Sequence, residues 1–281
     1  MKILVTGASG FLGRHVVRAL LARGHQITAV ARNAERARAL GWPSDVNFIA
    51  CDIHTQHLDV GTLGQADAVL HLAWPGLPNY KALYHFEDTL FADYRFLKNL
   101  VLAGHRHLLV TGTCFEYGMQ NGRLDEWTET RPSNPYGLAK DSLRKFLETL
   151  KAERPFTLQW ARLFYLYGEG QNAGSLLAQL ERALENGDEE FPMSGGEQLR
   201  DYLPVQRVAT SLVRLVEHPE CDGVVNICSG TPVSIRTMVE EFTKGKGKRI
   251  RLKLGHYPYP DHEPFAFWGE RRRWLGLEAG D

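Results

Sequence analysis

Apolar positions in the first half of the chain fall alternately into short runs and into helical spacing. Lys2 to Val5 is a short apolar run, and Gly13 to Arg23 carries apolar residues three and four apart. Gln26 to Ala31 predicts a second strand and Ala34 to Leu40 a short helix. Val46 to Ala50, Ala68 to Leu72 and His107 to Thr111 predict further buried strands, with a long helix over about Leu83 to Ala103 between the last two. A helix is expected from Pro135, because Ser133 or Asn134 can cap it and proline tolerates the first helical position. The strand Thr157 to Leu163 follows. Strands that alternate with helices in this way imply a parallel sheet covered on both faces.

Beyond Tyr167 the rhythm changes. Gly168 to Gly174 is a glycine-rich turn, Ser175 to Asn186 is helical, and Gly187 to Arg200 is polar and turn-rich. This stretch is expected to leave the sheet and build a second lobe. Val205 to Glu217 reads as an amphipathic helix and Val224 to Cys228 as a buried strand that returns to the first domain, with the tail from Pro232 rejoining the lobe. The expected division is residues 1–163 and about 201–229 for the sheet domain, and about 164–200 and 230–281 for the lobe.

Composition narrows the function classes. A chain of 281 residues with 43% hydrophobic and 23% charged residues is an ordinary globular one, long enough for a large core. Its 33 Lys and Arg are cancelled by 33 Asp and Glu, which argues against a nucleic-acid-coating or anionic-membrane protein. The basic run KGKGKRIRLK at 244–253 lacks interleaved aromatics and reads as a solvated turn entering an alternating strand. MKILVTGASG is a short apolar run ending in glycines, so no signal peptide is expected, and no apolar stretch approaches the roughly 20 residues of a membrane helix. Four scattered cysteines without a CxxC pair fit a reducing cytoplasm. The histidine pairs His54/His57 and His105/His107 read as loop residues, and no metal site is expected.

Three groups of residues carry chemistry. In TGASGFLG, Gly7, Gly10 and Gly13 follow the first strand and open the first helix, where glycine lets backbone approach a pyrophosphate seated on the helix N-terminus. The second strand ends in Arg32, where NAD-binding domains usually place an acid, with Arg36 and Arg38 following and Arg14 beside the glycines. Guanidinium groups there would welcome a 2′-phosphate, so NADPH is expected over NADH. Finally, Tyr136 and Lys140 stand four apart at a helix start, on one face, with Thr113 just past a strand. A cation and a helix N-terminus can make a phenol a usable acid, and Thr113 can hold a substrate oxygen. Cys114 has no base near it in sequence and reads as a packing residue.

These motifs, with CDI at 51–53, HLA at 71–73, TGTCFEYG at 111–118, PYGLAK at 135–140, RLFYLYGEGQ at 162–171 and RDYLPV at 200–205, resemble the extended short-chain dehydrogenase/reductases. The group is the NAD-dependent epimerase/dehydratases, which act on nucleotide-diphosphate sugars. The resemblance implies an α/β fold, a Rossmann-type doubly wound parallel sheet with a smaller C-terminal substrate-binding lobe. It also implies that Phe11 and Leu12 line the cofactor with the glycines, and that Asp52 and Ile53 contact the adenine. Leu72 and Ala73 would pass the pyrophosphate and ribose, Lys140 would hold the nicotinamide ribose, and Tyr136 would carry the proton. Arg200 matches an arginine that reaches the sugar-nucleotide diphosphate; an ion pair with Asp201 is the alternative.

Departures from the family pattern sharpen the reading. Dehydratases carry Asp-Glu where this chain has Cys114 and Phe115, so dehydration is disfavoured. Tyr165 replaces a substrate-contacting asparagine, and the tail PFAFWGERRRWLG leaves open which of Arg271, Arg272 and Arg273 would face the diphosphate. The expected activity is NADPH-dependent reduction of the 4-keto group of a nucleotide-diphospho-4-keto-6-deoxyhexose, as in surface-polysaccharide sugar biosynthesis. A 4-epimerase with tightly bound NAD is the first alternative, and a non-catalytic NADPH-sensing protein the second. A homodimer through the helices around Leu83 to Ala103 and Tyr136 to Leu150 is expected by analogy with the family.

Overall fold

Seven strands form one parallel sheet: β1 (Lys2–Thr6), β2 (Gln26–Ala31), β3 (Asn47–Ala50), β4 (Ala68–His71), β5 (His107–Thr113), β6 (Thr157–Leu163) and β7 (Gly223–Ile227). Their order across the sheet is β7-β6-β5-β4-β1-β2-β3. The computed structural model describes residues 1–261 and 263–270, so the question about Arg271, Arg272 and Arg273 lies outside the described residues. The helices are α1 (Phe11–Ala22), α2 (Ala34–Arg38), α3 (Leu90–Leu102), α4 (Pro135–Glu153), α5 (Leu176–Asn186), α6 (Val205–Glu217) and α7 (Ile235–Gly245).

The strand sequences explain the layering. β4 and β5 are buried along their whole length, which only a sheet with both faces covered permits. On one face Val16, Val17 and Leu20 of α1 and Val208 and Leu212 of α6 pack against β1 and β2. On the other, Phe96, Leu97 and Leu100 of α3 meet Leu143 and Leu147 of α4. Leu97 and Leu143 are wholly buried, and each contributes about 1.5–3 kcal/mol relative to an exposed position. This is the Rossmann-type fold expected from the sequence. Strand order reverses between β1 and β4, so a crevice opens past their C-terminal ends, where open α/β sheets bind ligands.

A third apolar cluster joins α5 and α7 through Leu177, Leu180, Met238 and Val239, with Phe191 and Met193. Short strand pairs tie this part together: Glu190–Pro192 with Arg251–Lys253, and Leu199–Arg200 with Val233–Ser234. The strand expected after the basic run is thus the three residues Arg251–Lys253, and three of the run's basic side chains have partners in this part of the fold. Lys246 pairs with Glu181, Arg251 pairs with Glu190, and Lys248 Nζ donates to the Leu184 carbonyl at 2.7 Å. The parallel pair Gly122–Leu124 with Phe267–Gly269 returns the tail to the crevice side of the sheet.

Two local expectations change. The long helix expected from Leu83 is preceded by a π-helical turn, His85–Thr89, and α3 begins only at Leu90. His105 lies in the loop before β5 but is buried, and His107 is no loop residue: it opens β5 with Nε2 against Gln159 Oε1 at 2.8 Å. No helix of the described residues is long and apolar enough to cross a membrane.

Candidate active site

The glycine turn is built for close approach. Gly7 has φ +68°, and a Cβ there would lie 2.8 Å from the Ala73 nitrogen. A Cβ on Gly13 would lie 2.2 Å from the Gly7 carbonyl oxygen. Gly10 caps α1 in extended conformation with no side-chain bond to the first-turn N–H groups, which point toward the crevice mouth with their dipole. Phe11 begins α1 and stands edge-on to His15, and Leu12 packs against the core face of the sheet. Across the turn, Leu72 N–H donates to the Thr6 carbonyl at 3.3 Å and Ala73 N–H to Thr6 Oγ1 at 3.4 Å. These features fit a dinucleotide: no side chain fills the turn, and free helix N–H groups face an anion site.

The β2 end carries positive charge. Arg32 and Arg36 are exposed, and Asn33 caps α2 by accepting from Arg36 N–H at 2.8 Å. The Arg14 guanidinium is held below its usual value, first by partial burial and then by repulsion from Arg36. Two guanidinium groups near enough to feel each other suit a doubly charged ligand group. Asp52 accepts from the His54 N–H at 3.1 Å, and Ile53 is buried beside it.

Tyr136 and Lys140 enter the crevice from the first two turns of α4. Asn134 caps this helix by accepting from Gly137 N–H at 2.8 Å. Gly137 has no room for a Cβ, which would lie 2.6 Å from the Phe115 carbonyl oxygen, so glycine lets α4 press on the turn after β5. Tyr136 is buried beneath a ring of aromatics: His85, Tyr80, Trp74 and Phe115 have centroids 5.4, 5.6, 5.9 and 6.3 Å from its own. Its hydroxyl is near enough to the Thr113 side chain for that neighbour to pull its pKa down. Thr113, Tyr136 and Lys140 are therefore brought to one site.

The electrostatics differ from the sequence expectation. Burial drives the Tyr136 phenol well above its ordinary value, and the Thr113 side chain only partly offsets this. Lys140 Nζ turns away to donate to the Thr111 carbonyl at 2.9 Å and lies 3.9 Å from the centre of the Trp74 ring. Burial lowers its pKa to about 8, against the opposing pull of Asp93 and Glu116. Here desolvation outweighs the acidifying cation.

Several groups escaped the sequence reading. Trp74 Nε1 donates to His85 Nδ1 at 3.0 Å, and His85 Nε2 meets the Asn79 carbonyl at 2.9 Å, so His85 is a neutral imidazole with both nitrogens used. Burial lowers its pKa further. Glu116 is wholly buried and accepts from Thr113 N–H at 2.8 Å, Trp160 Nε1 at 2.9 Å and Arg162 Nε at 2.7 Å. Its sequence signals are the Thr113-x-x-Glu116 spacing of a capping box and a charge inside an otherwise apolar run after β5. Among the described residues no group of three or more His, Cys, Asp or Glu is placed to hold a metal ion.

Arg200 does not form the ion pair with Asp201 that was its expected alternative. Its Nη2 pairs with Glu263 Oε2 at 2.9 Å, its Nη1 donates to the Leu199 and Phe265 carbonyls, and it lies over the Phe267 ring at 4.9 Å. Asp201 instead accepts backbone N–H groups from Ser229 at 2.6 Å and Gly230 at 2.9 Å. The chain folds Glu263 back onto Arg200 from 63 residues away, a contact no local pattern reports. Burial raises the Cys114 thiol far above its ordinary value, as befits a packing residue among Tyr117, Phe164 and Phe267.

Comparison with known proteins agrees with this geometry. Residues 3–228 match the NAD dependent epimerase/dehydratase family. The chain belongs to that family. A dTDP-6-deoxy-L-talose 4-dehydrogenase (NAD(+)) of Aggregatibacter actinomycetemcomitans is 30% identical, over 96% of this chain and 100% of the relative. A UDP-glucose 4-epimerase of Halalkalibacterium halodurans is 26% identical, over 90% of this chain and 83% of its own. Among solved structures, MoeE5 in complex with UDP-glucuronic acid and NAD superposes with a TM-score of 0.81 at 26% identity, covering 99% of this chain and 92% of MoeE5.

Proposed function

We propose that this family member reduces the 4-keto group of a nucleotide-diphospho-4-keto-6-deoxyhexose with NADPH. The carrying observation is the placement of Tyr136, buried among Trp74, Tyr80, His85 and Phe115 one helical turn from Lys140, where burial keeps its phenol protonated, the state from which a donor starts. Giving a proton to a developing alkoxide is the task of a ketone reductase. Bound nicotinamide would supply the hydride to the sugar carbonyl carbon. Thr113 would hold the same oxygen, and Lys140 would bind the nicotinamide ribose and supply positive charge beneath the tyrosine. The relative that is 30% identical is a 4-dehydrogenase, and oxidation of a C4 alcohol is this reaction in reverse.

The glycine turn and the N-terminus of α1 would take the pyrophosphate, with Leu72, Ala73, Asp52 and Ile53 lining the rest. Arg14, Arg32 and Arg36 would take a 2′-phosphate, and Arg200 would meet the sugar diphosphate only by exchanging Glu263 for it. That relative's name carries NAD(+), so cofactor choice is the sharper claim. With a panel of nucleotide-4-keto-6-deoxysugars, nicotinamide absorbance should fall stoichiometrically, with kcat/KM for NADPH at least about tenfold above NADH, the worth of one charged contact. No oxidation with any sugar would sink the reductase reading; equal or better use of NADH would sink the arginine assignment.

A second reading, 4-epimerisation, draws on the UDP-glucose 4-epimerase relative and uses the same three residues. Turnover of a nucleotide sugar at C4 without added nicotinamide would establish it. Phe91, Leu138 and Phe146 on α3 and α4 are 54%, 44% and 36% exposed, an apolar face that would be covered in a homodimer. Analytical ultracentrifugation should give a dimer at micromolar protein that Phe91→Glu dissociates; a monomeric wild type would refute it. We place the reaction in the cytoplasm, where nucleotide sugars and reduced nicotinamide meet.

A further inference from the structure

Lys140 stands one helical turn from Tyr136, yet its hydrogen-bond acceptor is a carbonyl and its other neighbour is the Trp74 face. The full negative charges that act on it come from Asp93 and Glu116. Glu116 is already committed to Arg162 at 2.7 Å. Asp93 is different. It is wholly buried on α3, and its carboxylate meets two imidazoles: His54 Nε2 at 2.6 Å and His71 Nε2 at 3.4 Å.

His71 ties this carboxylate to both halves of the crevice. Its Nδ1 meets Thr6 Oγ1 at 3.0 Å, and that oxygen accepts the Ala73 N–H at 3.4 Å beside the glycine turn. Its carbonyl accepts from Thr111 Oγ1 at 3.2 Å, and the Thr111 carbonyl accepts from Lys140 Nζ at 2.9 Å. From these contacts we infer that Asp93 is a positioning residue: the buried counter-charge that keeps Lys140 an ammonium, held in place by His54 and His71. The inference deepens the proposed reaction and rests on Lys140 acting there as a cation.

Physical chemistry supports a live role for this charge. A buried ammonium loses its proton more easily than an exposed one, and Lys140 sits at about 8 rather than lower because Asp93, with Glu116, pulls the other way. Burial pushes the Asp93 carboxyl up, but His71, His54 and Lys140 overcome this and hold it at about 2, so it is ionised wherever Lys140 titrates. The other titratable groups around the lysine are Glu116 after β5, His85 before α3, His71 on β4 and Tyr136 on α4 itself. Neutral His85 with both nitrogens engaged adds no counter-charge.

Lysine ε-carbon NMR on the full chain tests this, with the Lys140 resonance assigned by its loss in Lys140→Arg. In the wild type it should titrate near 8. Asp93→Asn should move it at least about one pH unit lower, the size of one lost opposite charge nearby, while Asp93→Glu should restore most of it. An unchanged Lys140 titration in a folded Asp93→Asn protein would overturn the inference. Should that variant not unfold cooperatively, the wild type decides: the Asp93 carboxyl carbon should step as Lys140 titrates, and a flat response refutes the coupling. The alkaline limb of kcat/KM should move with the NMR value. Absence of turnover with every sugar would refute the reductase reading and leave the NMR result standing.

Discussion

Tyr136→Phe should lower kcat for ketone reduction by about 10²–10⁴-fold, the usual worth of a positioned acid, while cofactor affinity stays within about twofold. The hydroxyl lies near Thr113 at the crevice, whereas the ring packs against Trp74, Tyr80, His85 and Phe115. Phenylalanine keeps the packing and removes only the hydroxyl. Reduction should hold a plateau at neutral pH and fall as pH rises through about 8, because Lys140 is the first of the three groups to change charge. Burial keeps the tyrosine protonated well beyond that point, so its own ionisation does not set the limb. Steady-state kinetics for both proteins, with nicotinamide titration by fluorescence, check this. An unchanged kcat in Tyr136→Phe would overturn the assignment of Tyr136 as the proton donor, and no turnover in either protein would favour the non-catalytic, nicotinamide-sensing alternative.

Glu116→Ala should destabilise the chain by about 3–5 kcal/mol, the cost of leaving a buried charge without its partner. Arg162 is 2% exposed and its Nε donates to Glu116 at 2.7 Å, so the variant strands a guanidinium in the core. The same change orphans Trp160 Nε1 and the Thr113 N–H, both of which donate to Glu116. Since burial alone would depress Arg162 and Glu116 more than offsets it, the pair is coupled rather than merely adjacent. Urea unfolding should show a lower midpoint with an unchanged slope. A loss under about 1 kcal/mol would mean that the guanidinium finds water or another acceptor. Thr113 caps the turn Cys114–Tyr117 together with Glu116, so activity should fall along with stability.

The contrast between these two residues marks how far the sequence could be read. Tyr136 and Lys140 were legible because helix geometry alone puts residues four apart on one face, and Asn134 with Pro135 announces where that helix begins. The glycine turn was legible for the same reason, since a positive φ at Gly7 and close contact at Gly13 are demands on neighbouring backbone. Glu116 was not, because its partner stands 46 residues away on another strand. Nor was the sign of the Tyr136 shift. Spacing places a lysine near a phenol but does not count the four aromatic rings that dry it.

By itself the sequence determined the alternation of strand and helix, the parallel sheet that follows from it, the anion-binding turn after β1 and the Tyr136 and Lys140 pair. Each depends on interactions within a few residues, where hydrophobic period, capping and glycine leave few alternatives. Tertiary structure alone decided who neutralises whom. It chose Glu263 rather than Asp201 for Arg200 and Glu116 for Arg162, and it set Asp93 against the imidazoles of His54 and His71. Charge pairing is not written in spacing, because a buried ion takes whichever partner the packing of distant elements brings within reach, and desolvation then sets its strength.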